Sequence, residues 1–264
     1  MNPHPASEDP RAVLILHGNG GSRTRFRLLL ERLPALAPGL LPVIPELSGF
    51  DGRPLPAVPN LWDVFLHEIA GAADAAGAAQ RWTWYGHGIG GSVLMELAAR
   101  DFVFPDGIQR RPDRIILHGA IGAGMERRWF PGLMRPRAVR SIIQQLVASP
   151  LLRPLWVRRL FRHPERIPAQ VLNQFFEDYG QCASFSAWFD LITPAWYRRV
   201  QAAAREVPFH LLWGAQERVV TAQHLPLWQA DFPRASIEVV PGWDHFPMLD
   251  EADVFAAKFV SLMR

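Results

Sequence analysis

Four short runs of this 264-residue chain hold the residue types that chemistry needs. Two are rich in glycine: His17-Gly18-Asn19-Gly20-Gly21-Ser22 and Gly86-His87-Gly88-Ile89-Gly90-Gly91. Such turns can present backbone N–H groups to a developing anion. The other two carry ionisable side chains, Glu217 at the end of Trp213-Gly214-Ala215-Gln216-Glu217 and His245 inside Gly242-Trp243-Asp244-His245-Phe246-Pro247-Met248. An imidazole exchanges protons near neutral pH, and a carboxylate behind it fixes its orientation. Plainer readings exist for each: His245 as a satisfied turn histidine, Glu217 as a solvated loop carboxylate, and Gly20 and Gly21 as residues of a tight turn. Ser92 falls one turn into a helix and is expected to face the core. Cys182, the one cysteine, has no base near it in sequence, which leaves no disulfide framework and no multi-cysteine zinc site. Neither metal nor cofactor is expected.

The elements that must position these residues alternate strand with helix. Ala12 to Leu16 is a short apolar run leading into the first glycine loop, and Leu41 to Ile44 reads as a second strand. Trp82 to Tyr85 leads directly into the second glycine loop and a helix, and Arg114 to Leu117 follows. Phe209 to Trp213 and Ser236 to Val240 resume the pattern after a long gap. All four chemical runs then lie at the carboxyl ends of predicted strands, where open parallel sheets bind ligands. The alternation predicts an α/β fold with a mostly parallel, doubly wound sheet. The gap, residues 124–206, holds proline-punctuated stretches rich in Trp, Phe, Leu and Arg and is expected to be a helical insertion; residues 1–123 and 207–264 form the core.

At 49% hydrophobic and 20% charged, the composition is that of a folded globular chain. Between Glu126 and Glu206 stand 13 arginines against 6 acidic residues, so the insertion carries +7 of a total net charge of +3, leaving −4 for the rest. A basic, aromatic run such as Leu152 to Arg162 suits a membrane, a nucleic acid or an anionic substrate, but a solvated arginine face over packed aromatics is the simpler expectation. No stretch is long and apolar enough to span a bilayer, and Met1 to Arg11 lacks the apolar centre of a signal peptide; a cytoplasmic protein without stable membrane insertion or nucleic-acid binding is expected. Its partner is expected to be a small apolar or weakly anionic organic substrate or ligand. Trp129, Phe185 and Trp188 are the expected lining of its pocket.

The four runs, in this order, resemble those of the α/β-hydrolase superfamily. The first resembles its His-Gly oxyanion loop, the second its nucleophile elbow, the third the turn bearing the triad acid and the fourth the turn bearing the triad histidine. The resemblance covers nearly the whole chain outside the insertion, which it implies is a cap. It implies that His245 is the base, that Glu217 orients it with Asp244 as a second candidate, and that an oxyanion hole forms at His17, Gly18, Asn19 and Ile89 from the amides after Asn19 and of Ile89. It also exposes a departure: Gly88 stands at the elbow apex, where the family places Ser, Asp or Cys. No covalent ester can form on a glycine.

Three readings follow. The chain is a hydrolase- or lyase-type enzyme that uses His245 and Glu217 as a general base without a covalent intermediate. Alternatively it is a nucleophile-less binding protein, or the glycine replaces the serine of an ester, lactone or C–C bond hydrolase.

Overall fold

The computed structural model describes residues 11–77 and 81–263. The N-terminal stretch read above for a signal peptide lies, except for Arg11, outside the described residues. Six strands form one sheet: β1 (Arg11–Leu16), β2 (Leu40–Val43), β3 (Arg81–His87), β4 (Arg114–His118), β5 (His210–Gly214) and β6 (Ser236–Val240). Their order is β2-β1-β3-β4-β5-β6, and each neighbouring pair is parallel. Parallel strands need crossovers, and helices supply them: α1 (Arg27–Leu36), α2 (Leu61–Ala75) and α3 (Ile89–Ala99) precede β4.

Both faces of the sheet are covered, which explains why its central strands read as continuous apolar runs rather than alternating ones. Within β1, Leu14 and Leu16 point into the cluster shared with α2 and α3, whereas Val13 and Ile15 point into the cluster shared with α1 and the C-terminal helix. Tyr85, Ile116 and Leu212 continue the second cluster across β3, β4 and β5; Trp84, Leu117 and Leu211 continue the first. The strand pleat thus divides a uniform apolar sequence between two cores.

Between β4 and β5 the described chain makes no strand. It forms α4 (Trp129–Leu133), α5 (Arg137–Ala148), α6 (Arg153–Leu160), α7 (Ala169–Gln181), α8 (Trp188–Leu191) and α9 (Pro194–Ala203). The sheet then closes with α10 (Leu225–Asp231), β6, α11 (Pro247–Asp250) and α12 (Ala252–Leu262). Buried carboxylates are among the polar ties that hold the intervening helices to the core. Glu96 on α3, buried, accepts from Trp196 Nε1 on α9 at 2.9 Å. Asp178 on α7, also buried, accepts from Ser22 Oγ at 2.8 Å and Thr24 Oγ1 at 2.7 Å beside the first glycine loop.

Two expected pocket residues behave differently here. Trp129 is 77% exposed, against Phe130 rather than a cavity, because α4 is a five-residue helix with no buried residue of its own. Trp188 is buried, stacked on Phe65 of α2 at 4.6 Å and edge-on to Trp62 at 5.8 Å. It packs the helical segment onto the core, and such aromatic pairs add about 0.5–1.5 kcal/mol each beyond the area they bury.

Candidate active site

β3 turns into α3 at Gly88, which caps the helix with φ 57° and ψ −120°, a backbone region that favours glycine. The turn is tight because Gly86 and Gly90 lie back to back: a Cβ on Gly86 would stand 2.5 Å from the Gly90 carbonyl. Above the apex there is room. A Cβ built on Gly88 has only Gly18 Cα within 4 Å, at 3.5 Å. Ser92 faces inward as expected, its Oγ donating to the Ile121 carbonyl at 2.9 Å.

The two glycine loops lie against each other, Gly18 beside both Gly88 and the His87 ring. Their free donors differ from expectation in one respect. The amide after Asn19, that of Gly20, donates to Asn19 Oδ1 at 3.0 Å and is therefore occupied. The Asn19 amide itself has no partner among the described residues, nor does that of Ile89, which as the first residue of α3 has no intrahelical acceptor. Asn19 Nδ2 donates to the Phe185 carbonyl at 3.2 Å, which brings buried Phe185 over the loop. His17 contributes no donor outward: its Nδ1 lies 3.1 Å from the Gly18 carbonyl and its ring is edge-on to Phe50.

Glu217 follows β5, and His245 lies in the turn after β6. His245 Nδ1 and Glu217 Oε2 are 2.7 Å apart, with both residues less than a tenth exposed. The other carboxylate oxygen, Oε1, accepts from the amides of Val219 at 2.7 Å and Val220 at 3.0 Å. Burial alone would raise the Glu217 carboxyl. The His245 charge, its hydrogen bond and the two amides outweigh that and hold it below the usual carboxylate range. Among the described residues His245 Nε2 has no hydrogen-bond partner, yet it is not one of the unpartnered nitrogens sealed from solvent. It is the free nitrogen of the pair.

Asp244, the second candidate for the acid, is engaged elsewhere. Its Oδ1 accepts from the amides of His245 at 2.8 Å and Arg218 at 3.1 Å, and its Oδ2 pairs with the Arg218 guanidinium. It builds the turn rather than touching the ring.

Several residues of the site carried no clear sign in the sequence. His87, within the second glycine run, donates from Nε2 to the His245 carbonyl at 2.9 Å. Burial first, and the neighbouring His245 and His118 rings next, keep its pKa well below normal, so it is neutral. Burial likewise pushes His17 down to about 4 and His118 to about 3. Tyr179 of α7 covers the first loop so closely that a Cβ on Gly20 would meet its ring at 2.3 Å. Arg25, buried, donates to the Gly20 carbonyl at 2.6 Å and lies 3.4 Å over the Phe175 ring. Cys182 is buried, which raises its thiol pKa, and its sulfur lies 3.4 Å from Ser184 Oγ with no imidazole beside it. An open groove of about 430 Å³ between α5 and α7, lined in part by Ser141, Gln144 and Gln145, contains no titratable side chain. Among the described residues no cluster of three or more His, Cys, Asp or Glu could hold a metal, and no helix is long and apolar enough to cross a membrane.

Residues 13–258 match the sequence model of a family described as the alpha/beta hydrolase family. No curated protein sequence matches the chain. Among solved structures it is similar to 2-hydroxy-6-oxo-6-phenylhexa-2,4-dienoate hydrolase from Rhodococcus sp. strain RHA1, at 21% identity and TM-score 0.68 over 95% of this chain and 89% of that one. It is similar to MenH from S. aureus at 15% identity and TM-score 0.68, covering 98% of this chain and 95% of the other. A thermophilic esterase from Thermogutta terrifontis aligns at 18% identity and TM-score 0.66 over 96% and 89% of the two chains.

Proposed function

The chain belongs to the alpha/beta hydrolase family, and from that premise we propose that it is a hydrolase- or lyase-type enzyme that works without a covalent intermediate on a small apolar or weakly anionic substrate. The observation that carries the reading is the buried His245–Glu217 pair at 2.7 Å, with its outer nitrogen free, beside an elbow whose apex is open. In hydrolysis of an ester, His245 Nε2 takes a proton from a water held over Gly88 while the water oxygen bonds to the substrate carbonyl carbon. The carbonyl oxygen becomes an anion facing the Asn19 and Ile89 amides. Collapse of that adduct breaks the bond to the leaving group, which takes its proton back from Nε2. General-base and oxyanion effects are each worth roughly two to four powers of ten, enough for useful turnover. Residues 124–206 act as a cap over a core of residues 1–123 and 207–264, with Phe185 above the oxyanion loop.

Turnover of a panel of aryl and acyl esters by the chain and by His245→Ala tests this. Activity in the first and none in the second is expected; equal activity in both contradicts it.

The geometry of Gly88 favours a second reading, in which the chain is a serine hydrolase whose nucleophile has been lost. The elbow keeps its conformation and its space. If so, the chain is silent on every ester, and Gly88→Ser alone both hydrolyses esters and takes a fluorophosphonate label.

A further inference from the structure

From Arg127 to Arg162 the chain carries nine arginines and no aspartate or glutamate. This stretch builds α4, α5 and α6, and much of it is turned to solvent. Arg127, Arg135, Arg158, Arg159 and Arg162 are exposed, and none makes an ion pair among the described residues. The same stretch holds large apolar side chains that the fold leaves uncovered: Leu151 is 91% exposed, Trp129 77%, Leu155 63% and Ile142 55%.

Those outside α4 are not scattered. After Arg137 at its start, the exposed positions of α5 form one stripe, Ala138, Ser141, Ile142, Gln145 and Leu146, at the spacing of a single helix face. Trp156 Nε1 donates to the Leu146 carbonyl at 2.8 Å and fastens α6 to the end of α5. The turn between them then projects Leu151, with Leu146 before it and Leu155 after it, and Arg158 and Arg159 continue along the same short helix. Arg159 Nη2 donates to the Arg218 carbonyl at 3.2 Å, but among the described residues neither it nor Arg158 meets a carboxylate. Protruding leucines beside arginines without a counter-ion form an amphipathic surface of the kind that lies in a lipid interface, where apolar tips enter the acyl boundary and guanidinium groups meet phosphate.

We propose that the α5–α6 hairpin docks the protein on the surface of a bilayer containing anionic phospholipid, with Leu151 and Leu155 inserted and Arg158 and Arg159 at the headgroups. The chemistry of the face separates this occupant from others. A second copy docked symmetrically would set arginine against arginine, which charge complementarity disfavours. Nucleic acid would use the guanidinium groups but give the aliphatic tips nothing to enter. The docking is peripheral and independent of what the active site does.

The test uses the whole chain and sucrose-loaded vesicles of phosphatidylcholine with or without phosphatidylglycerol. Sedimentation with the anionic vesicles at low salt is expected, and partition at least about tenfold weaker with pure phosphatidylcholine, at high salt, or in Arg158→Gln/Arg159→Gln. Leu151→Glu/Leu155→Glu is expected to lose partition to a similar degree while keeping the native circular dichroism, since both side chains stand in solvent. Leu151→Cys, carrying an environment-sensitive fluorophore, reports insertion directly; native Cys182 is 1% exposed and should not compete for the label. The label should shift to the blue only with anionic vesicles. Failure to sediment, a label that stays in water on bound vesicles, an equal response to a DNA duplex, or a concentration-dependent shift without lipid would each overturn the proposal.

Discussion

Glu217 Oε2 holds His245 Nδ1 at 2.7 Å, whereas the carboxylate next to that histidine in sequence, Asp244, turns away to Arg218. Adjacency along the chain and contact in space therefore select different acids. If Glu217 fixes the tautomer and steadies the imidazolium, Glu217→Gln should cost about a hundredfold to ten-thousandfold in kcat on any ester the chain turns over, with KM little changed. Steady-state kinetics of the variant decide it.

Asp244→Ala should act on stability instead. It strips an acceptor from the amides of His245 and Arg218 and leaves the half-exposed Arg218 without its partner, a loss of about 1–3 kcal/mol. Guanidinium unfolding should register that loss while kcat stays within a few-fold of the parent. A kcat collapse at unchanged stability would exchange the roles of the two carboxylates.

How far the site could be read from residues alone depended on what fixed each part. The strands were legible because burial on both faces leaves unbroken apolar runs such as Val13 to Leu16, and the elbow because its glycines are dictated by backbone contact at Gly86 and Gly90. Glu217 and His245 were located by register with those elements. What failed depended on side-chain direction. Whether Asn19 would turn back on the next amide, and so occupy the Gly20 donor, is a rotamer choice that spacing does not encode. Trp129 and Trp188 have the same composition signature, yet one lies in water and the other in the core, because only helix packing distinguishes them. His87 gave no sign of its bond to the His245 carbonyl, since its partner is 158 positions away.

Acid should unfold the protein through its buried histidines. His17 and His118 fold with pKa values of about 4 and about 3, below the 6.5 of the free side chain. The unfolded chain therefore binds more protons than the folded one below pH 6.5, so stability is full above that pH and falls as the pH drops toward the folded values. Each such group adds about one proton, roughly 1 kcal/mol per pH unit, to the slope, and His17 alone accounts for about 3 kcal/mol by pH 4. Urea midpoints measured from pH 7 to pH 4 should show a fall that is shallower by about one proton in His17→Phe. An unchanged slope in that variant would mean His17 is not held neutral.

Contact between α7 and the first glycine loop can be tested at one atom. Gly20→Ala places a methyl 2.3 Å from the Tyr179 ring at a residue with φ 63°, and should destabilise the protein by at least about 2 kcal/mol. Tyr179→Ala in the same background should recover part of it, which a cycle of the four proteins would reveal. Simple additivity would show that α7 does not rest on this loop.

Intact-protein mass spectrometry during turnover of an aryl ester bears most directly on chemistry at a bare elbow. Product should accumulate while the protein mass stays unchanged at every time point, and His245→Ala should release none. An acyl adduct on any side chain, at any time in the reaction, would contradict it.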